Sequence, residues 1–66
     1  MIPVDFPAPL LEKIPAEKRG ALTGVLAHDP RPRYQTDEDR VYAMDFAGFT
    51  IRFQVRGGVL TVTDVS

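Results

Sequence analysis

All six prolines of this 66-residue chain lie at positions 3, 7, 9, 15, 30 and 32, and none follows. Proline has no N–H to give to a sheet ladder, so the proline-free half is where regular sheet can form. That half also carries nearly all of the aromatic and β-branched residues, which suit strands. Helices and turns are therefore expected first, and sheet afterwards. The length allows a single small domain over residues 1–66, with a thin core. The absence of cysteine excludes disulfides and thiolate metal sites, and one histidine, His28, cannot hold a zinc ion alone. No metal or other cofactor is expected. Packing, or association with another chain, must then supply the stability. A net charge of -1 exerts no global pull toward nucleic acid or anionic lipid. No apolar run reaches the length of a membrane span, and the first residues show neither a basic leader nor an apolar signal core. The expectation is a cytoplasmic protein that does not engage a membrane.

Met1 to Phe6 reads as extended, a candidate short edge strand, because each proline restricts the residue before it. Ala8 to Ile14 can form a short helix, and Pro15 suits the first turn of a second one. Leu22, Val25 and Leu26 mark the apolar side of that second helix, which Asp29-Pro30 ends. Gly20 and Gly24 either weaken the helix or permit close packing on a sheet.

Three runs then alternate with period two. Val41–Phe46 places Tyr42, Met44 and Phe46 on one side, and Thr50–Arg56 places Ile51, Phe53 and Val55 likewise. Val59–Val65 offers Leu60 and Val62 to that side, with Val59, Thr61, Thr63 and Val65 opposite. Gly57-Gly58 signals a two-residue hairpin pairing Val55 with Leu60 and Phe53 with Val62. Ala47-Gly48 is a weaker signal that pairs Met44 with Ile51 and Tyr42 with Phe53. Both registers put the apolar residues on one face. The predicted class is α+β: one or two short N-terminal helices packed on a three- to four-stranded antiparallel sheet.

In Leu26-Ala27-His28-Asp29-Pro30-Arg31-Pro32, Arg40 to Val55, and Gly57 to Val65, the chain resembles the RelE/ParE family of bacterial toxins from toxin–antitoxin pairs. The resemblance covers roughly residues 10–65 and rests on a hydrophobic rhythm with a few marker residues. It implies a toxin-like component, or a descendant of one, with an antitoxin-like protein as partner. RelE-like members cleave mRNA on the ribosome through basic residues at the scissile phosphate, and ParE-like members act on DNA gyrase. Here Ala43 and Asp45 occupy second-strand positions where that pattern carries lysines, and Thr50 replaces the arginine after the Gly-Tyr turn. After Ser66 nothing corresponds to the family's C-terminal basic and aromatic residues. A carboxylate at Asp45 would repel a phosphate, so no catalytic residue is assigned. The expected mode of action is protein or ribosome contact, including mRNA or gyrase. The alternative is a non-catalytic module that self-associates or binds an extended peptide.

The candidate binding residues are cations and one aromatic. Arg52 lies by count on the open sheet face with Thr50 and Gln54, where it can meet a phosphate or pair across the hairpin with Asp45. Arg56 flanks the Gly-Gly turn and reads as solvated. Arg31, Arg33 and Arg40 with Tyr34 can form a patch for RNA, opposed by the charges of Asp37, Glu38 and Asp39 in the same loop. His28 suits a helix C-terminus, and Tyr42, Phe46, Phe49 and Phe53 suit the core.

Overall fold

Proline sets both helix starts. In the computed structural model, which describes residues 1–31 and 37–66, Pro7 and Pro15 are the N-caps of α1 (Ala8–Leu11) and α2 (Ala16–Ala27). A proline needs no N–H partner there, while its carbonyl still accepts: Leu11 N–H donates to Pro7 O at 2.9 Å, and Lys18 N–H to Pro15 O at 2.9 Å. The first helix is shorter than Ala8–Ile14, because residues after Leu11 turn. That turn points Ile14 into the core, where it is fully buried. His28 is the C-cap of α2, as its position suggested, and Asp29 follows with φ 56°. On α2 the apolar side is Leu22, Leu26 and Ala27, whereas Val25 is 39% exposed. A Cβ built on Gly20 or Gly24 would meet nothing within 4 Å, so neither glycine serves close packing on the sheet.

The strands are β1 (Val4–Asp5), β2 (Tyr42–Phe46), β3 (Phe49–Arg56) and β4 (Val59–Val65), in the spatial order β1-β4-β3-β2. Both predicted hairpin registers are observed: Tyr42 opposite Phe53, Met44 opposite Ile51, Phe53 opposite Val62 and Val55 opposite Leu60. The sheet is mixed, not purely antiparallel, because β1 runs parallel to β4. The two helices occupy the β1–β2 connection and return the chain to the end where β1 began, which is the crossover a parallel arrangement needs. Leu60 N–H donating to Pro3 O at 3.0 Å and Ile2 N–H donating to Ala27 O at 2.8 Å secure this N-terminal strand.

One face of the sheet packs under the helices. Ile14, Leu22 and Leu26 meet Tyr42, Ile51, Phe53, Val55, Leu60, Val62 and Val65 in a single buried cluster. Tyr42 and Phe53 stack with centroids 5.6 Å apart, which is a favourable aromatic cross-strand pair. Val65 departs from the alternation. The β3–β4 register shifts between Arg52 and Phe53, so that Phe53 faces Val62 but Arg52 faces Asp64, and Thr63 is the extra residue. A bulge of this kind reverses the facing of everything beyond it. Val65 therefore enters the core at 1% exposure, and Asp64 turns to the open face beside Arg52.

The β2–β3 turn bends through Ala47 at φ 51° and Gly48 at φ 85°. Two positive φ values suit the twist of a hairpin but strain alanine, which has a Cβ. Ala47→Asn is expected to stabilise the protein by about 0.5–1 kcal/mol, since asparagine tolerates this region. Thermal melts check this, and an unchanged or lower Tm would rule out strain at the turn. Among the described residues, no helix is long and apolar enough to cross a membrane.

Candidate functional site

The face of the sheet away from the helices carries the polar side chains of β3: Thr50, Arg52, Gln54 and Arg56. Their placement follows from period two, since Ile51, Phe53 and Val55 are buried beneath. Arg52 does not pair with Asp45. Asp45 lies opposite Thr50, whose hydroxyl donates to Asp45 Oδ1 at 3.4 Å. The bulge instead brings Asp64 to Arg52, with Nη1 3.6 Å from Oδ2, and Nη1 also donates to Ser66 Oγ at 3.4 Å.

Arg56 is not simply solvated either. Its Nη2 donates to Asp39 Oδ1 at 3.1 Å, in a pair that is open to water on both sides. Two neighbouring donors meet the same loop. Gln54 Nε2 donates to Asp39 O at 3.2 Å, and the backbone N–H of Gly57 donates to Glu38 Oε2 at 2.6 Å. Asp37 Oδ1 accepts from the N–H of Asp39 at 2.9 Å, which shapes the loop as an Asx turn does. Glu38 and Asp39 thus reach across to the tip of the β3–β4 hairpin. Sequence reasoning gave these acids a general field-cancelling role and missed Gln54, Gly57 and Asp64 as contact partners. The partners of Arg56 and Gly57 are 17 and 19 residues away in the chain, so no local pattern signalled them.

Of the patch expected from Arg31, Arg33, Arg40 and Tyr34, only Arg31 and Arg40 are among the described residues. Arg33 and Tyr34 lie outside them. Arg31 turns back on Asp29, with Nε donating to Oδ1 and Nη2 to Oδ2, both at 2.7 Å. Arg40 sits over the ring of Tyr42 with its guanidinium carbon 5.4 Å from the centroid, within cation–π range. The Tyr42 hydroxyl is buried and has no hydrogen-bond partner among the described residues.

The bidentate Arg31 contact holds the Asp29 carboxyl below its ordinary range, against a smaller opposing effect of burial, and raises Arg31 in turn. A depressed carboxyl contributes stability above its unfolded pKa of about 4 and loses it as pH falls through the lower, folded value. Asp29→Asn is accordingly expected to cost about 1 kcal/mol at pH 7. The gap from wild type should narrow steadily below about pH 4. Urea unfolding at pH 7 and pH 3 measures both, and a gap independent of pH would dismiss the ion pair as its source.

Chemically, three described cations of the candidate set have a carboxylate partner, Arg31 in Asp29, Arg52 in Asp64 and Arg56 in Asp39, while Arg40 lies over the ring of Tyr42. No group of three or more His, Cys, Asp or Glu side chains among the described residues is placed to hold a metal ion. The arrangement is a largely ion-paired, hydrogen-bonding surface on the sheet.

Comparison with solved structures finds the same architecture twice. A crystal structure of TrmO superposes with a TM-score of 0.73 at 19% identity, covering 98% of this chain and 32% of that one. A double arginine-to-alanine mutant of the E. coli toxin RelE, in the free state, superposes with a TM-score of 0.66 at 18% identity. That match covers 98% of this chain and 81% of the toxin. The RelE-like fold read from the sequence is therefore present, and at these identities the likeness concerns fold alone. The chain spans about a third of the length of the TrmO structure. No curated protein matches it. The family is not that of the toxins: over residues 2–66 the chain matches the model of the TrmO C-terminal domain, and it belongs to that family.

Proposed function

We propose that this chain is an accessory domain of a TrmO-type tRNA methyltransferase, and that it contacts RNA through the open face of its sheet without catalysing a reaction. The family match over residues 2–66, and the association of that family with tRNA methyltransferase, support the RNA partner. The observation that carries the non-catalytic part is the absence of basic residues at Ala43, Asp45 and Thr50 on the face. Metal-free cleavage of RNA needs unopposed cations at the scissile phosphate and groups that move protons. Here Ala43, Asp45 and Thr50 stand where the toxin resemblance expects basic residues, and Arg52 is shared with Asp64. Exposed ion pairs of this kind are worth only about 0–1 kcal/mol, so the arginines remain able to exchange a carboxylate for a phosphate.

The fold likeness to RelE favours a second reading, a toxin-type protein that arrests growth through the ribosome or gyrase. One pair of measurements separates the two. Fluorescence anisotropy with a labelled tRNA should show binding that weakens with salt, as phosphate contacts do. Induced expression in a bacterial host should leave growth normal and ribosome-bound mRNA intact. Arrest with new mRNA ends would overturn the accessory reading in favour of a ribonuclease, and arrest without cleavage would point to gyrase or another target.

A further inference from the structure

We infer that the tip of the β3–β4 hairpin is a phosphate-binding subsite, and that the acidic segment Glu38–Asp39 occupies it as an internal competitor of the RNA backbone. This rests on the RNA reading above for the identity of the ligand, but its geometry stands by itself. Three donors converge on one short stretch of chain: the guanidinium of Arg56, the side-chain amide of Gln54 and the backbone N–H of Gly57.

Each donor is available for a physical reason. Arg56 pairs with Val59 to close the hairpin, which leaves the first turn residue outside the ladder and its N–H directed outward. Gly57 holds φ 57° and Gly58 φ 78°, and neither carries a Cβ to obstruct a ligand. Gln54 and Arg56 are two residues apart on one strand and share the open face, with Arg52 one step further along the same row. Such a row, ending in a backbone N–H, offers an extended anion more than one contact.

Two of these donors meet carboxylates, and the third, Gln54, meets the backbone carbonyl of Asp39. Glu38 places Oε2 2.6 Å from the Gly57 nitrogen, and Asp39 places Oδ1 3.1 Å from Arg56 Nη2. Carboxylates in these positions make the charge-assisted hydrogen bonds that phosphate oxygens would make. The hold is weak, because the Asp39 side chain is 88% exposed and Arg56 is 62% exposed. A polyanion that releases counterions on binding can displace it. The acids therefore set the affinity of the face: they satisfy the donors in the free chain and lower its attraction for anions.

The test uses the whole chain with labelled tRNA at low salt. Glu38→Gln with Asp39→Asn should tighten binding about five- to tenfold and steepen its salt dependence by about one phosphate contact. Glu12→Gln with Glu17→Gln makes the same change in net charge on the helical side, and should tighten it far less. Adding Arg56→Ala to the Glu38→Gln, Asp39→Asn variant should remove the gain. In parallel, the Gly57 amide resonance should shift on titration with inorganic pyrophosphate, more in the Glu38→Gln, Asp39→Asn variant than in wild type. Equal tightening in both charge-matched variants, or a gain that survives Arg56→Ala, overturns the subsite while leaving RNA binding intact. A Gly57 shift with pyrophosphate but no tRNA binding by any variant supports the anion subsite and overturns RNA as its ligand. No tRNA binding and no Gly57 shift overturns both.

Discussion

Phe53→Ala is expected to lower the unfolding free energy by about 3–5 kcal/mol, the largest effect of any single truncation in this chain. Phe53 is the bulkiest of the fully buried side chains and lies on β3, one of the two strands flanked by partners on both sides. It faces Tyr42 across one ladder and Val62 across the other. Removing the ring costs its transfer from water, the stacking with Tyr42, and the cavity that a two-layer fold cannot collapse. At about 0.05–0.15 kcal/mol per residue, a chain of this size holds roughly 3–10 kcal/mol in total. The variant should therefore be largely unfolded or close to it at 37 °C. Urea titration followed by circular dichroism gives the number, with Phe53→Leu as the milder comparison at about 1–2 kcal/mol. A loss under 1 kcal/mol for Phe53→Ala would mean that the core is not organised around β3.

The second large effect contrasts two aliphatic positions. Ile14→Ala should cost about 2–4 kcal/mol, whereas Val25→Ala should stay within about 0.5 kcal/mol of wild type. Ile14 belongs to neither helix, yet it is wholly buried, and its carbonyl accepts from Arg19 Nε at 2.8 Å. Beside it, Lys13 Nζ donates to Val65 O at 3.1 Å and ties the interhelical turn to the last strand. Val25 has helical spacing in its favour but is 39% exposed. The same urea titrations decide the point. If the two variants lost similar stability, the helical layer would be rotated from the orientation described.

Much of the candidate site was legible. Period two placed Thr50, Arg52, Gln54 and Arg56 together on the face opposite the core, because strand geometry leaves no other choice once Ile51, Phe53 and Val55 are buried. Their partners were not legible. Proximity in the hairpin points Arg52 to Asp45, but the one-residue bulge at Thr63 delivers Asp64 instead. No local pattern gives Arg56 a partner, because the loop residues Glu38 and Asp39 reach the hairpin tip only once the chain has crossed from the helices to β2.

The sequence by itself determined the division into helices and sheet, the helix starts at Pro7 and Pro15, and both hairpin registers. Those outcomes depend on neighbours a few residues apart: proline's missing N–H, alternating side chains, and glycine's freedom at positive φ. Only the tertiary structure decided that β1 lies parallel beside β4, that Val65 is core and Asp64 surface, and which carboxylates meet Arg52 and Arg56. These depend on contacts between distant segments, whose energies are each small. They are selected jointly, when the helices close over the sheet and one packing of the core excludes the others.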